Sequence, residues 1–124
     1  MQTPEGTGRR LEALLRAGDL DGVMALYEDG AVFADLSGAV RGVDEIRAAH
    51  RRFLDEGNTL HLGRAVTFEA GGIALVHWAW TVTNPGNPPI RGTSAEVLRR
   101  QPDGGWRYLL DNSDGPAVLG PAEP

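Results

Sequence analysis

The sequence contains no cysteine and no lysine. The first absence excludes disulfides, thiolate nucleophiles and thiolate metal sites. The second excludes Schiff-base catalysis, and PLP enzymes and lysine aldolases with it. All 12 basic residues are arginine, set against 17 acids for a net charge of −5. Nucleic acids and anionic membranes are bound by a concentrated basic face, so no nucleic acid and no membrane partner is expected. No apolar run approaches the ~18 residues of a membrane span, and none near the start has signal-peptide length. A soluble, cytoplasmic chain is the expectation. Glycine (17) and proline (8) together stay below the share at which a 124-residue chain without repeats is expected to be disordered.

What is present suits one domain covering residues 1–124: 41% of the residues are hydrophobic, enough for a single core in a globule of roughly 14 Å radius of gyration. Pro4, Gly6 and Gly8 at one end, and Pro116, Gly120, Pro121 and Pro124 at the other, predict loose termini and a folded part of about 9–114. Leu11, Leu14 and Leu15 repeat at helical spacing up to Gly18, and Asp19 offers a cap for a second short helix. A turn at Asp29-Gly30 precedes a hairpin through Phe33 to Val40, and residues 43–56 read as a third helix. Beyond Gly57 the period changes to 2, predicting strands over 59–69, 73–83, 92–100 and 106–113 in an antiparallel meander. Helices first and strands afterwards is the α+β pattern.

Several local motifs carry a resemblance: Gly18-Asp19-Leu20-Asp21, Leu26-Tyr27-Glu28-Asp29, Val32-Phe33-Ala34-Asp35, Gly42 through Ile46, and Arg99 through Trp106. Together they resemble the NTF2-like superfamily in its SnoaL-like and ketosteroid-isomerase-like branch. The resemblance implies a cone of about three helices on a curved antiparallel sheet, a ligand entering its open end, no cofactor, and a homodimer. It also implies Asp35 at the place of the general base, Glu96 at that of a protonated acid, Tyr27 at a pocket tyrosine and His50 at a tyrosine of the third helix. The phenol that donates from the first helix in ketosteroid isomerases falls near Leu11, which has no polar hydrogen.

The residues can be read without the resemblance. Asp35, between Phe33 and Leu36, is either a base facing a dry cavity or a turn aspartate bonding the backbone of Ser37 or Gly38. Glu96, mid-strand, is either a buried neutral acid or an outward carboxylate paired with an arginine. His50 shares a helix face with Ile46 and Phe53 and points inward, as a site residue or as a core histidine. Trp78 and Trp80 share the more apolar face of their strand with Val76 and Val82, where they fill the core, wall a pocket, or do both. Ser94 stands on the same face as Glu96, and Leu109 on the same face as Asp111, so all belong to the candidate lining. His61 and His77 have no acid at metal-ligand spacing, and no metal is expected.

Two functions follow. One is a cofactor-free enzyme that takes an apolar, oxygenated small molecule and moves a proton next to a carbonyl, as an isomerase or cyclase, with Asp35 as base and Glu96 or His50 at the oxyanion. The other is a non-catalytic binding or assembly module. A sheet covered by helices on one face only predicts a homodimer, with Val97 or Leu98 and Trp106 or Tyr108 facing outward.

Overall fold

The computed structural model describes residues 2–121. Helix α1 (Pro4–Ala17) is started by Thr3, whose side chain accepts the Gly6 N–H, and by Pro4, which lacks an N–H where none would be satisfied. It stops at Gly18, whose φ of 69° is the left-handed conformation glycine adopts freely. Asp19 then accepts the Gly22 N–H at 2.9 Å and caps α2 (Leu20–Met24). The expected looseness up to residue 8 is corrected here. Thr7 and Gly8 are buried, and Thr7 Oγ1 donates to the Trp106 carbonyl at 3.0 Å. At the other end Gly115–Leu119 forms a 3-10 turn; Met1 and residues 122–124, also expected to be loose, lie outside the described residues.

Strands β1 (Tyr27–Asp35) and β2 (Gly38–Arg41) form the hairpin. Asp29-Gly30 is not a turn before it; the pair lies inside β1, where the register against the last strand shifts between Tyr27 and Val32. Helix α3 (Val43–Asp55) carries Asp44 and Glu45 at its positive end and buries Ile46 and His50, one turn apart on one face. Strands β3 (Thr59–Ala70) and β4 (Ile73–Thr83) make a long hairpin. The strand expected over 92–100 is broken at Ser94 into β5 (Ile90–Thr93) and β6 (Ala95–Arg100), both paired with β4. The Ser94 N–H donates to the Trp78 carbonyl at 2.9 Å across the break. Strand β7 (Trp106–Asn112) completes the sheet.

The strand order is β2-β1-β7-β6-β4-β3, with β5 beside β4. The sheet is mixed rather than wholly antiparallel, because β1 runs parallel to β7. Between them the chain passes through β2, α3 and the meander, and a long connection of that kind can return in either direction. The three helices cover one face of this curved α+β sheet. Ala74, Val76, Leu98, Trp106 and Tyr108 from the sheet pack with Leu11, Leu15, Val23 and Ile46 from the helices. Full burial of a side chain such as Ile46 contributes about 1.5–3 kcal/mol.

The other face of the sheet exposes Val66, Phe68, Ile73 and Leu110. Leu98, Trp106 and Tyr108, offered by the sequence as outward residues, are buried; Val97 is half-buried. Among the described residues no helix is long and apolar enough to cross a membrane.

Candidate active site

Between α1, α3 and the covered face of the sheet lies a cavity of about 250 Å³. Its walls are apolar: Leu11 and Leu15 come from α1, Phe53 from α3, Leu62 from β3, and Trp78 and Trp80 from β4. Two glycines lie against the indoles. A Cβ on Gly8 would fall 2.6 Å from the Trp78 ring, and one on Gly92 would collide with Trp80 in the same way, so bare backbone is packed against each ring. Trp80 Nε1 also donates to the Ser113 carbonyl at 2.7 Å.

The polar residues gather at the inner end. Glu96 on β6 stands directly opposite Asp111 on β7, and His50, Ser94 and Tyr108 line the cavity with them. The ladder slips by one residue between Val97 and Leu98, so β7 bulges at Leu109. Tyr108 before the bulge and Asp111 after it therefore both face inward. Leu109, expected in the lining on simple alternation, does not line the cavity; Tyr108 does instead.

Glu96 is 4% exposed, and its Oε1 is buried without a hydrogen-bond partner among the described residues. Burial first, and the neighbouring Asp111 charge second, hold its proton far above the usual carboxylate range, against a smaller opposing effect of the Ser94 hydroxyl. Asp111 is raised as well, by burial, but the Tyr27 hydroxyl opposes that rise by hydrogen bonding. The pair accordingly shares a proton that sits mainly on Glu96.

Tyr27 stands behind this pair rather than in the cavity wall. Its hydroxyl donates to Asp111 Oδ2 at 2.5 Å and lies 2.9 Å from His50 Nε2. A phenol has one proton and Tyr27 gives it to Asp111, so His50 is assigned as donor through Nε2–H. Burial lowers the His50 pKa to about 4, which keeps the imidazole neutral. Burial, and then the charge of Asp111, push the Tyr27 pKa well above its usual value.

Asp35 lines the outer part of the cavity and is half-buried. Its Oδ1 accepts from Ser37 N at 2.8 Å and Ser37 Oγ at 2.5 Å, while Oδ2 has no hydrogen-bond partner among the described residues. The turn reading of Asp35 is the one seen: the Ser37 contacts hold one oxygen, and the other is left without a partner at the outer part of the cavity. The cavity also takes in Ser113 and Asp114, which follow β7. Asp114 was not singled out from the sequence, where nothing distinguishes it from other turn aspartates. Tyr108 carried a signal, since Arg107 beside it must face water.

Compared with known families, residues 9–109 match the model of the SnoaL-like domain. The chain belongs to the SnoaL-like family. This SnoaL-like chain also superimposes on solved structures. An NTF2-like protein of unknown function from Pseudomonas putida is 20% identical, with 90% of this chain and 83% of that one aligned and a TM-score of 0.77. A proposed association domain of a calcium/calmodulin-dependent protein kinase type II from Thiobacillus denitrificans is 21% identical over 93% and 96% of the two chains, with a TM-score of 0.77. A proposed dehydratase of the NTF2-like family from Streptomyces avermitilis is 15% identical over 88% and 90%, with a TM-score of 0.73. At such identities the likeness concerns the fold. A comparison with curated proteins finds no match.

Proposed function

We propose that this SnoaL-like protein is a cofactor-free enzyme that moves a proton next to the carbonyl of an apolar, oxygenated small molecule, in an isomerisation or cyclisation. The observation that carries the reading is Glu96 Oε1, a buried carboxyl oxygen with no partner in a cavity walled by apolar side chains. Leaving such a group unsatisfied costs about 1–3 kcal/mol, and a ligand oxygen would remove that cost. Asp35 Oδ2 takes a proton from the carbon beside the carbonyl. The protonated Glu96 donates to the carbonyl oxygen as negative charge develops there. The same proton then returns at another carbon, or the enolate carbon attacks a second carbonyl carbon of the same molecule, whose π electron pair moves to its oxygen and takes up the proton from Asp35 as the first carbonyl re-forms. His50, Tyr27 and Asp111 position the acid and need not change protonation state.

A second reading, a non-catalytic binding module, is favoured by Leu11, which lines the cavity without a donor where the family resemblance implies a phenol. Carbon–hydrogen exchange separates the two. Cyclic β,γ-unsaturated ketones incubated with the protein in D2O should gain deuterium beside the carbonyl faster than in buffer. Binding without exchange, seen for every ketone by mass spectrometry, would favour the module. We further propose that two copies pair through the exposed sheet face.

A further inference from the structure

The cavity has a pronounced charge asymmetry. Four carboxyl groups line it, from Asp35, Glu96, Asp111 and Asp114, and none of the chain's 12 arginines does. His50, its one basic lining residue, is neutral at ordinary pH because burial disfavours the imidazolium. Glu96 and Asp111 are deep; Asp35 and Asp114 are half-buried and so stand nearer the opening. The hairpin ties the outer two together: the Leu36 N–H donates to Asp114 Oδ2 at 2.9 Å, and the next residue, Ser37, holds Asp35 Oδ1. Ser113 Oγ also reaches Asp114 Oδ2, at 3.4 Å. Asp114 Oδ1, like Asp35 Oδ2, is left without a hydrogen-bond partner, and neither acid has an arginine partner among the described residues. The Trp80 indole is held alongside, on the carbonyl of the adjacent Ser113.

A free carboxylate oxygen at the end of an apolar cavity is the arrangement that holds an ammonium group, by a charge-assisted hydrogen bond and ion pairing. The unpartnered Glu96 Oε1 at the deep end marks the same cavity as a ligand site independently of its charge. We propose that the cavity takes lipophilic amines, with the ammonium on Asp114 beside Trp80, the apolar body along Trp78, and a neutral oxygen at Glu96. This rests on the reading of the cavity as the substrate site and names the class of substrate: an amine that also carries a carbonyl. Anions of the same shape are disfavoured, because four acids line the cavity and the Arg9 guanidinium, which stands over the Trp78 ring, is already engaged by the Leu62 and Gly63 carbonyls.

Three ligands of one shape test the proposal: cyclohexylbutylamine, cyclohexylbutanol and cyclohexylbutanoate, titrated while tryptophan fluorescence is followed. The amine should bind about fivefold more tightly than the alcohol, the carboxylate at least about tenfold more weakly, and salt should shrink the amine's advantage. Asp114→Asn keeps an acceptor for the Leu36 N–H but removes the charge, so it should weaken the amine about three- to fivefold and leave the alcohol unchanged. If alcohol and amine bind equally, or the carboxylate binds best, the amine proposal is wrong while the cavity reading stands. If none of the three binds at millimolar concentration, both fall. Should Asp114→Asn fail to fold, the ranking of the three ligands on the unmodified protein still decides the matter.

Discussion

Glu96 and Asp111 face each other across the β6–β7 ladder as two buried acids with no arginine between them. Two carboxylates cannot both ionise at such a position, so the proton held by Glu96 belongs to the fold as well as to any reaction.

Because Glu96 is titrated at a higher pH in the folded chain than in the unfolded one, its neutral form contributes stability below the ordinary carboxylate range, and that stability is lost as pH rises through the raised value. Glu96→Gln fixes a neutral group. Its unfolding free energy should gain on that of the unmodified protein by several kcal/mol between about pH 5 and about pH 9, measured by urea denaturation at each pH. Parallel pH curves for the two proteins would contradict the account of Glu96.

Asp35→Asn retains the shape and an acceptor for Ser37 but removes the free basic oxygen. Deuterium exchange into a turned-over ketone should fall by about 10²–10⁴-fold, with the ligand dissociation constant changed little. Exchange at the unmodified rate would move the role of base to Asp111.

Tyr27→Phe removes one hydroxyl and leaves two buried groups, Asp111 Oδ2 and His50 Nε2, without it. A destabilisation of about 1–3 kcal/mol is expected. The Asp111 carboxyl should also titrate at a higher pH in the variant, since the bond that favours its ionised form is gone; carbon-detected NMR would follow it. An unchanged titration would mean that the phenol does not tune the acid pair.

The exposed Val66, Phe68, Ile73 and Leu110 should bring two copies together sheet to sheet. Light scattering at micromolar concentration should give twice the chain mass, and Phe68→Arg, placing a charge on that apolar face, should give the single mass. A single mass for the unmodified protein would refute the pairing.

Much of the architecture was legible because periodicity is a direct readout of burial. The alternation through Val76, Trp78, Trp80 and Val82 gave the inner face of β4, and the spacing of Ile46 and His50 gave the inner face of α3. The start of α1 was written in Thr3-Pro4 but masked by Gly6 and Gly8, which suggest a coil until it is known that Gly8 lies against Trp78. The bulge at Leu109 was not legible. A one-residue slip is decided by pairing with another strand, and it moves the following side chains to the opposite face, which is how Tyr108 replaced Leu109 in the lining. Asp114 was hidden for a similar reason: its place depends on a bond to Leu36, 78 residues away. The parallel pairing of β1 with β7 likewise depends on contacts distant in sequence.

Gly8 and Gly92, each pressed against a cavity tryptophan, have a consequence for selectivity. A wall of flexible side chains can retreat to admit a thicker guest, but these indoles are backed by main chain that cannot yield without moving a helix or a strand. The slot between them and α3 should therefore keep a fixed gauge, favouring slender or planar molecules over a guest one methyl group thicker. Variation in ligand choice among close relatives of this chain should therefore follow substitutions on the Phe53 and Leu62 sides of the cavity, where side chains alone set the width.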